Sequence, residues 1–338
     1  MVIPCFNYAR FLPEAVESAL SQAGVVVDVI IVDDASTDDS LAVAHRLAAS
    51  DARVRVLAHP ANAGPVRTFN DGLVLAGGEF LVRLDADDLL TPGSLRRAAD
   101  VMRSFPEVGL VYGRPLHFSR ARQPARTEPR TWTVWPGMRW LADRCADGFN
   151  VITSPEAFMR MSVVQRVGGQ RLLAHTHDME MWLRLAAHAD VAYVSGADQA
   201  WHRDHPASLS AREVDQLSDL RERADAFREL VAGVAGRCDG VAELGGVAAR
   251  RLAREAVASC HYELDRGRRP VDRIESLLKV AAEIDPEITS APDWTRVRER
   301  LDGPRSVVGH GLGLMRATLR RVHDVRRHRR WLRTGVYG

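Results

Sequence analysis

Residues 25–58 read VVVDVIIVDDASTDDSLAVAHRLAASDARVRVLA. Two apolar, β-branched runs in this stretch, Val25–Val32 and Val54–Leu57, predict buried strands. Between them, apolar side chains recur three or four residues apart, as one face of a helix requires; they are Leu41, Ala44, Leu47 and Ala48. A strand, a helix and a second strand in this order are typical of an α/β domain with a largely parallel sheet.

The alternation of strands and helices extends from the first residue to about residue 200. Further strands are expected at Met1–Pro4, Phe80–Leu84, Gly109–Tyr112, Ala157–Arg160 and Val191–Val194, and helices at Phe11–Gln22, about Asn70–Ala76, Thr91–Phe105, Ser162–Val167 and Met179–His188. Residues 113–136 are rich in arginine and proline and contain Trp132 and Trp135, so we expect an irregular loop beside a site there.

The pattern changes after Ser210, where long helical stretches at about 211–235, 241–265, 270–284 and 291–301 carry few strand signals. We therefore predict an α/β domain at 1–210 and a separate helical region at 211–338. The end of this region is rich in arginine and also carries apolar residues, namely Leu312, Leu314, Met315, Leu319 and Val322. It is interpreted either as a peripheral membrane contact or as a helix that packs on its own α/β domain with a solvated basic face.

Composition excludes several classes of protein. Forty-six basic residues nearly balance 44 acidic ones, so the net charge of +2 gives no reason to expect a nucleic-acid partner. The four cysteines form no CxxC pair, so neither a disulfide framework nor a zinc site is predicted. No apolar stretch approaches the ~20 residues that span a bilayer, and no basic-then-apolar leader opens the chain. We expect a cytoplasmic protein, peripheral at the inner face of the membrane if its arginine-rich end binds lipid.

The strongest chemical signal is Asp85-Ala-Asp87-Asp88, directly after the strand predicted at Phe80–Leu84. Three carboxylates in four residues repel one another unless a cation lies among them. Carboxylate oxygens select a hard ion, so the expected ligand is Mg²⁺ or Mn²⁺ that shares its coordination shell with substrate phosphates. The alternative is that these aspartates cap the next helix, but Thr91-Pro92 already supplies a cap and a first-turn proline.

A second acidic pair, Asp33-Asp34, ends the strand predicted at Val25–Val32. Thr37 or Asp38 suffices to cap the helix that follows, so local structure does not explain the pair. A carboxylate at this position can accept hydrogen bonds from a base or a ribose.

Four motifs, in this order and spacing, resemble the nucleotide-sugar-binding half of glycosyltransferase family 2, which has the GT-A fold. They are VIPCFNY at 2–8, VDDASTDDS at 32–40, Asn62-Ala-Gly64 with Asn70-Asp-Gly72, and LDADD at 84–88. The resemblance covers about residues 1–210 and implies that this part is a GT-A catalytic domain. It also implies transfer of a sugar from a nucleotide diphosphate with inversion by a single displacement.

The resemblance also implies roles for individual residues. Those implied for donor binding are Pro4, Asn7, Asp33, Asp34, Arg67, Asp85 and Asp87. Those implied for the metal are Asp87, Asp88 and His205, the last within an R-x-H segment at Arg203-Asp204-His205. One departure affects Arg67, because Thr68-Phe69-Asn70 stands where the family often has Ala-Arg-Asn.

A third signal, His177-Asp178-Met-Glu180-Met-Trp182-Leu-Arg184, resembles the acidic pair that precedes a W-L-R helix in the family. Asp178 then corresponds to the general base, and an ionised carboxylate at a helix start can accept a proton from a sugar hydroxyl. Two alternatives stay open: Asp178 only caps the helix, or Glu180 is the base. Trp182 is either a sugar-stacking side chain or a buried anchor.

These signals predict a metal-dependent, inverting glycosyltransferase of cell-surface polysaccharide or glycoconjugate synthesis. A UDP-sugar is the expected donor, and a saccharide or lipid-linked molecule is the expected acceptor. The alternative is an inactive nucleotide-sugar-binding or scaffolding protein, because His177 stands where a glutamate is usual. A nicotinamide-dependent enzyme is disfavoured, because no glycine fingerprint follows the first strand.

Overall fold

The computed structural model describes residues 1–205, 215–234, 238–303, 318, 322 and 325–336. These residues form two compact units. The first contains Met1–Leu141, the described residues from 150 to 205, and Arg333–Gly335. The second contains Ala142–Phe149 and most of the described residues after 215.

The first unit begins with a three-stranded parallel sheet in the order β1-β2-β3. Its strands are β1 (Val2–Cys5), β2 (Val29–Asp33) and β3 (Val54–Ala58), and the helices of this part are α1 (Leu12–Leu20), α2 (Ser40–Ser50) and α3 (Pro65–Leu75). Pro13 and Pro65 each lie in the first turn of a helix, where a backbone N–H has no partner within the helix. The strand-helix-strand alternation predicted from residues 25–58 is confirmed.

Residues 82–84 continue this sheet on the free side of β1. The Val2 N–H donates to the Val82 carbonyl and the Leu84 N–H donates to the Val2 carbonyl, both at 3.0 Å. Val2 pairs with Arg83 in the parallel sense. The carboxyl ends of β1, β2 and this segment therefore meet at one edge, which is where ligands bind in open α/β sheets.

A second sheet in the same unit has the order β4-β8-β6-β9-β5, and β7 pairs with β9. Its strands are β4 (Phe80–Leu81), β5 (Leu89–Leu90), β6 (Val108–Phe118), β7 (Thr131–Trp135), β8 (Phe158–Arg160) and β9 (Asp190–Arg203). The helices of this part are α4 (Ser94–Ser104), α6 (Met161–Val167) and α7 (His177–Ala186), together with the start of α5 (Gly137–Asp147), whose residues from Ala142 onwards belong to the second unit. Only the β6–β9 pair is parallel among these strands, so this sheet is mixed rather than largely parallel.

The second unit is helical in its described residues after 215. Its helices are α8 (Gln216–Val234), α9 (Val241–Asp265), α10 (Val271–Ile284) and α11 (Pro292–Asp302), with a 3₁₀ turn at Pro286–Ser290. No helix among the described residues has the length and apolar character that crossing a bilayer requires. The apolar residues Leu312, Leu314, Met315 and Leu319, on which the membrane-contact prediction depends, lie outside the described residues.

Three predicted elements differ from the observed ones. The strand expected at Val25–Val32 begins only at Val29, because pairing with β3 starts at Val29 and pairing with β1 at Ile30; Val26, which precedes this pairing, is 99% exposed. The loop expected at 113–136 is in part strand, since β6 runs to Phe118 and β7 pairs with β9. The strand expected at Val191–Val194 extends to Arg203, because β9 stays paired with β6 as far as the pair of Phe118 with Arg203.

The helix expected from Thr91 begins at Ser94, after Gly93 in the left-handed region. The Thr91 hydroxyl donates to the Asp198 carbonyl, so it does not cap α4. The prediction that Thr91-Pro92 caps this helix was wrong, because a contact with β9 engages the hydroxyl instead.

Candidate active site

The Asp33-Asp34 pair lies at the end of β2. Asp34 accepts hydrogen bonds from the N–H groups of Ala63 at 2.7 Å and Gly64 at 2.9 Å, and it contacts His59 Nδ1 at 2.9 Å. Burial raises the pKa of Asp34, but these hydrogen bonds outweigh it and lower the pKa below its usual value. Asp34 is therefore an ionised carboxylate that holds the Asn62-Ala-Gly64 turn against the sheet edge.

Asp33 is buried beside it. Its Oδ2 accepts from the Ser36 N–H at 3.1 Å, whereas its Oδ1 accepts no hydrogen bond from the described residues. A buried carboxylate oxygen without a donor is costly, and a ligand that supplies a donor would satisfy it.

Asn7 connects the end of β1 to the loop after β2. Its Oδ1 accepts from the N–H groups of Thr37 at 2.7 Å and Asp38 at 3.2 Å. The backbones of Asn7 and Ala35 both have positive φ, 61° and 57°. Left-handed residues other than glycine store strain, and such strain concentrates at ligand-binding sites.

Two other residues implied for donor binding flank this loop. Pro4 lies in β1 opposite Val32 and is half-buried. Arg67 is exposed in the first turn of α3, which follows the turn held by Asp34.

The Asp85–Asp88 turn lies at the same edge, and residues from the end of β9 cover it. His205 Nε2 lies 2.7 Å from Asp87 Oδ2. His202 Nδ1 lies 2.9 Å from Asp88 Oδ2, and the Arg203 N–H donates to Asp88 Oδ1 at 2.8 Å. Both oxygens of Asp88 are thus engaged within the protein, whereas Asp87 presents its carboxylate to His205.

Burial and charge set the ionisation of this turn. Burial raises the pKa of Asp87 to about 6, and the nearby carboxylates of Asp88 and Asp85 act in the same direction. Burial by itself would lower the pKa of His202, but the Asp88 carboxylate raises it to about 10. His202 is therefore a cation paired with Asp88, and Asp87 is left with excess negative charge around it.

This charge pattern fits a divalent cation. Asp87 and His205 offer an oxygen and a nitrogen 2.7 Å apart, and both are ligand types for Mn²⁺ and related ions. Asp88 lies next to them, although its two oxygens already accept hydrogen bonds.

Arg203 links the covering segment to the first strands. Its guanidinium lies 4.5 Å from the ring centres of both Phe11 and Phe118, and it donates to Glu14 and to the Asp87 carbonyl at 2.8 Å. The Arg203 guanidinium therefore packs against two aromatic rings, and these contacts hold the backbone that carries His202 and His205.

Asp178 lies inside the first turn of α7, which begins at His177 after Thr176. The Met179 N–H donates to its Oδ1 at 2.6 Å, and Asn150 Nδ2 lies 3.4 Å from its Oδ2. Burial raises the pKa of Asp178 to about 6; Arg83 lowers it and Asp85 raises it. Arg83 is itself paired with Asp85 at 3.0 Å, so Asp178 lies within electrostatic reach of the acidic turn.

The neighbours of Asp178 on α7 are turned inward. Glu180 is fully buried and forms two 2.7 Å hydrogen bonds with Arg184. Burial lowers the pKa of His177 to about 3, so its imidazole is neutral. Trp182 is 1% exposed, which makes it a buried anchor and removes it as a surface for stacking on a sugar.

Sequence reasoning missed three residues at this site. Arg83, His59 and His202 contact Asp85, Asp34 and Asp88, respectively. Only Arg83 carried a signal, because an arginine in the otherwise apolar FLVRL run requires a buried anionic partner. The contacts of His59 and His202 span 25 and 114 positions, which no local pattern reveals.

Comparisons with known proteins agree with this geometry. Residues 1–168 match the sequence model of "Glycosyl transferase family 2". The succinoglycan biosynthesis protein ExoO of Rhizobium meliloti is 42% identical over 96 residues, which are 28% of this chain and 27% of that protein. The chain spans only 27% to 41% of the length of three such relatives.

Two solved structures share the fold. S. aureus TarS 1-349, in complex with UDP-GlcNAc, has a TM-score of 0.63 at 17% identity, over 89% of this chain and 82% of that chain. The mannosyltransferase PcManGT from Pyrobaculum calidifontis, in complex with GDP-Man and Mn²⁺, has a TM-score of 0.55 at 17% identity, over 99% of this chain and 83% of that chain. These likenesses confirm the expected GT-A fold.

Proposed function

The chain belongs to glycosyltransferase family 2 through residues 1–168, and we propose that it is an inverting, metal-dependent glycosyltransferase. It would move a sugar from a nucleotide diphosphate, with a UDP-sugar as the favoured donor, to a hydroxyl of a saccharide or lipid-linked acceptor. The relation to a succinoglycan biosynthesis protein supports a role in polysaccharide or glycoconjugate synthesis.

One observation carries the proposal: in the acidic turn at the edge of the first sheet, Asp87 Oδ2 lies 2.7 Å from His205 Nε2. The Arg83–Asp85 pair, at 3.0 Å, influences the pKa of Asp178 from the side of the acidic turn. Displacement at a sugar carbon requires a base for the incoming hydroxyl and charge stabilisation for the departing diphosphate. In this proposal Asp178 is the base, and Asp87 helps to hold the ion that stabilises the diphosphate.

The first parallel sheet provides the donor-binding part. Asn7, the free Oδ1 of Asp33 and the turn held by Asp34 line the edge where β1 and β2 end. Carboxylate and amide acceptors suit the donors of a base and ribose. Arg67, exposed at the start of α3, would contribute positive charge towards the diphosphate.

Asp87 and His205 would hold a Mg²⁺ or Mn²⁺ ion, with Asp88 beside them. When bound, the ion would supply Lewis-acid stabilisation of the diphosphate leaving group. Asp88 would keep His202 and Arg203 in place through its two oxygens, so that the end of β9 stays over the turn.

Asp178 would act as the base. Its carboxylate takes the proton of the acceptor hydroxyl as that oxygen bonds to the anomeric carbon, and the bond from this carbon to the diphosphate oxygen breaks with its electron pair. Glu180 is not suited to this role, because both its oxygens are engaged by Arg184 in the interior.

The proposal is tested by donor binding with and without Mn²⁺. We expect UDP-sugars to raise the melting temperature of the full chain only when Mn²⁺ is present, because a ligand of the native state stabilises it. GDP-mannose is included because the structure of PcManGT is a complex with GDP-Man. Asp87→Asn should weaken Mn²⁺-dependent donor binding at least about tenfold in calorimetry.

Asp100→Asn is the matched control, because Asp100 is an exposed carboxylate on α4 that pairs with Arg96. Unchanged donor affinity in Asp87→Asn would contradict the metal assignment. Metal-dependent donor binding without any transfer or hydrolysis of the sugar would instead support the inactive binding protein.

A further inference from the structure

Three metal-ligating side chains cluster at the ends of β6 and β9, and the proposed reaction uses none of their outward atoms. His117 and His202 are directly paired residues of these two parallel strands, so their side chains project from the same face. Asp204 follows β9, and its N–H donates to the Phe118 carbonyl at 2.8 Å.

The geometry of the cluster is close to that of a coordination site. One ligand atom from each residue lies within 4.8 Å of the others. His117 Nδ1 and Asp204 Oδ1 are 3.1 Å apart, and the two imidazole centres are 5.0 Å apart. Ligand atoms on one tetrahedral ion are about 3.4 Å apart, so the 3.1 Å between His117 Nδ1 and Asp204 Oδ1 is close to this spacing, and separations of up to 4.8 Å must shorten when the ion binds.

The orientation of the His202 ring is set by a carboxylate behind it. Its Nδ1 is hydrogen-bonded to Asp88 Oδ2 at 2.9 Å, which turns Nε2 away from Asp88. A histidine that ligates a metal typically donates its other N–H to a carboxylate in this way, which orients the ring and makes it a better ligand. The second hydrogen bond of Asp88, from the Arg203 N–H at 2.8 Å, fixes that carboxylate in turn.

We propose that His117, His202 and Asp204 form a second metal site, which binds a divalent transition ion of the Zn²⁺ class. Two imidazoles and one carboxylate suit Zn²⁺ or Co²⁺, whereas the carboxylate-rich turn at Asp87 suits Mg²⁺ or Mn²⁺. The three ligands leave a fourth position for water. The bound ion joins the ends of β6 and β9, which carry His117 and His202.

The test is titration of the full chain, without nucleotide, with Zn²⁺ in a calorimeter and with Co²⁺ in the visible spectrum. We expect Zn²⁺ affinity to fall at least about tenfold in both His117→Ala and Asp204→Asn, with loss of tetrahedral Co²⁺ bands. His117 and Asp204 are 47% and 56% exposed in their side chains, so both variants should fold.

Two matched variants decide where the ion is held. His45→Ala removes an exposed histidine of α2 and should leave Zn²⁺ affinity unchanged. Asp87→Asn should also leave it within about threefold. Unchanged affinity in His117→Ala, or a tenfold loss in Asp87→Asn alone, would overturn the proposal.

Discussion

At the scale of single residues, the aspartates of this site differ in their partners rather than in their type. Asp34 accepts two backbone N–H groups, Asp88 pairs with a protonated histidine, and Asp178 has one N–H from Met179 and a longer contact with Asn150. The pKa of Asp34 is lowered, whereas burial raises that of Asp178 to about 6. A base needs a pKa near the working pH. The pKa of Asp87 is also raised to about 6, but Asp87 contacts His205 and is proposed for the metal, so we propose Asp178 as the base.

Replacing Asp178 tests this role. We expect Asp178→Asn to reduce kcat by about 10²–10⁴-fold while donor affinity stays within about twofold, because the amide keeps the shape but cannot accept a proton. Steady-state transfer rates and donor calorimetry on the same preparation measure the two quantities. A loss below about tenfold would assign Asp178 a structural role.

Glu180→Gln is the contrasting variant. It weakens a buried pair with Arg184, whose guanidinium also donates to the carbonyls of Val167, Gly168 and Gly169. Leaving a buried charge without its partner costs about 3–5 kcal/mol, so we expect a large fall in the free energy of unfolding. The folded fraction should keep its kcat, and a kcat loss larger than that of Asp178→Asn would make Glu180 the base.

The pKa of Asp178 also predicts the pH dependence of transfer. The base must be ionised, so kcat/KM should rise with pH and level off above an apparent pKa near 6. The measurement is kcat/KM from pH 4.5 to 8 at saturating Mn²⁺, which keeps Asp87 ionised. A midpoint near 4, the ordinary value for aspartate, would show that burial does not control the base.

At the scale of elements, α3 packs on the first sheet closely enough to require a glycine. A Cβ at Gly72 would lie 2.5 Å from Val2 Cγ1 and 2.9 Å from Val32 Cγ2. The backbone of α3 therefore lies directly against β1 and β2, which carry the donor-binding loop at their ends. Gly72, the last residue of the Asn70-Asp-Gly72 motif, therefore has a packing role in addition to its place in the sequence pattern of the family.

Gly72→Ala should destabilise the protein even though alanine favours helices. Alanine contributes about 1 kcal/mol of helix propensity, but overpacking against two valines costs about 1–3 kcal/mol, so a net loss of up to about 2 kcal/mol is expected. The urea midpoint measures it. Gly77→Ala is the control, because a Cβ there meets nothing within 4 Å, and equal midpoints for the two variants would refute the close packing.

At the scale of the whole molecule, the last described residues return to the first unit. The hydroxyl of Tyr112 donates to the Gly335 carbonyl at 2.8 Å, and a Cβ at Gly335 would lie 2.3 Å from the ring of Tyr193. Tyr112 and Tyr193 belong to β6 and β9, the strands whose ends carry His117 and His202. The segment Arg333–Gly335 is therefore part of the first unit, although it lies more than 120 positions after β9.

Removing residues 333–338 should destabilise the first unit. Loss of one hydrogen bond costs about 0.5–1.5 kcal/mol, and each kcal/mol corresponds to ~2–4 °C in melting temperature for a unit of this size. Calorimetric melting of the truncated chain is compared with that of a chain lacking only residues 337–338. Identical melting temperatures would mean that Arg333–Gly335 adds nothing to the stability of the unit.

The amino-acid sequence by itself determined the α/β class, the first strand-helix-strand unit and the positions of the acidic motifs. The sequence was sufficient to predict where the candidate site lies, because parallel strands place their carboxyl ends at one edge of the sheet. Asn7, Asp33 and Asp87 therefore lie at the same edge, whatever the positions of the helices between them. The helices α9, α10 and α11 were also predictable, since their apolar faces repeat at helical spacing.

Only the tertiary structure decided what each acidic side chain contacts. The contacts of Asp88 with His202 and of Asp87 with His205 join residues 114 and 118 positions apart. Likewise, β7 and the second half of β9 exist because strands distant in sequence supply their hydrogen-bond partners. Strand pairing and burial depend on segments that are distant in sequence and come together only on folding. A local sequence pattern therefore predicts neither the length of β9 nor the partners of these carboxylates.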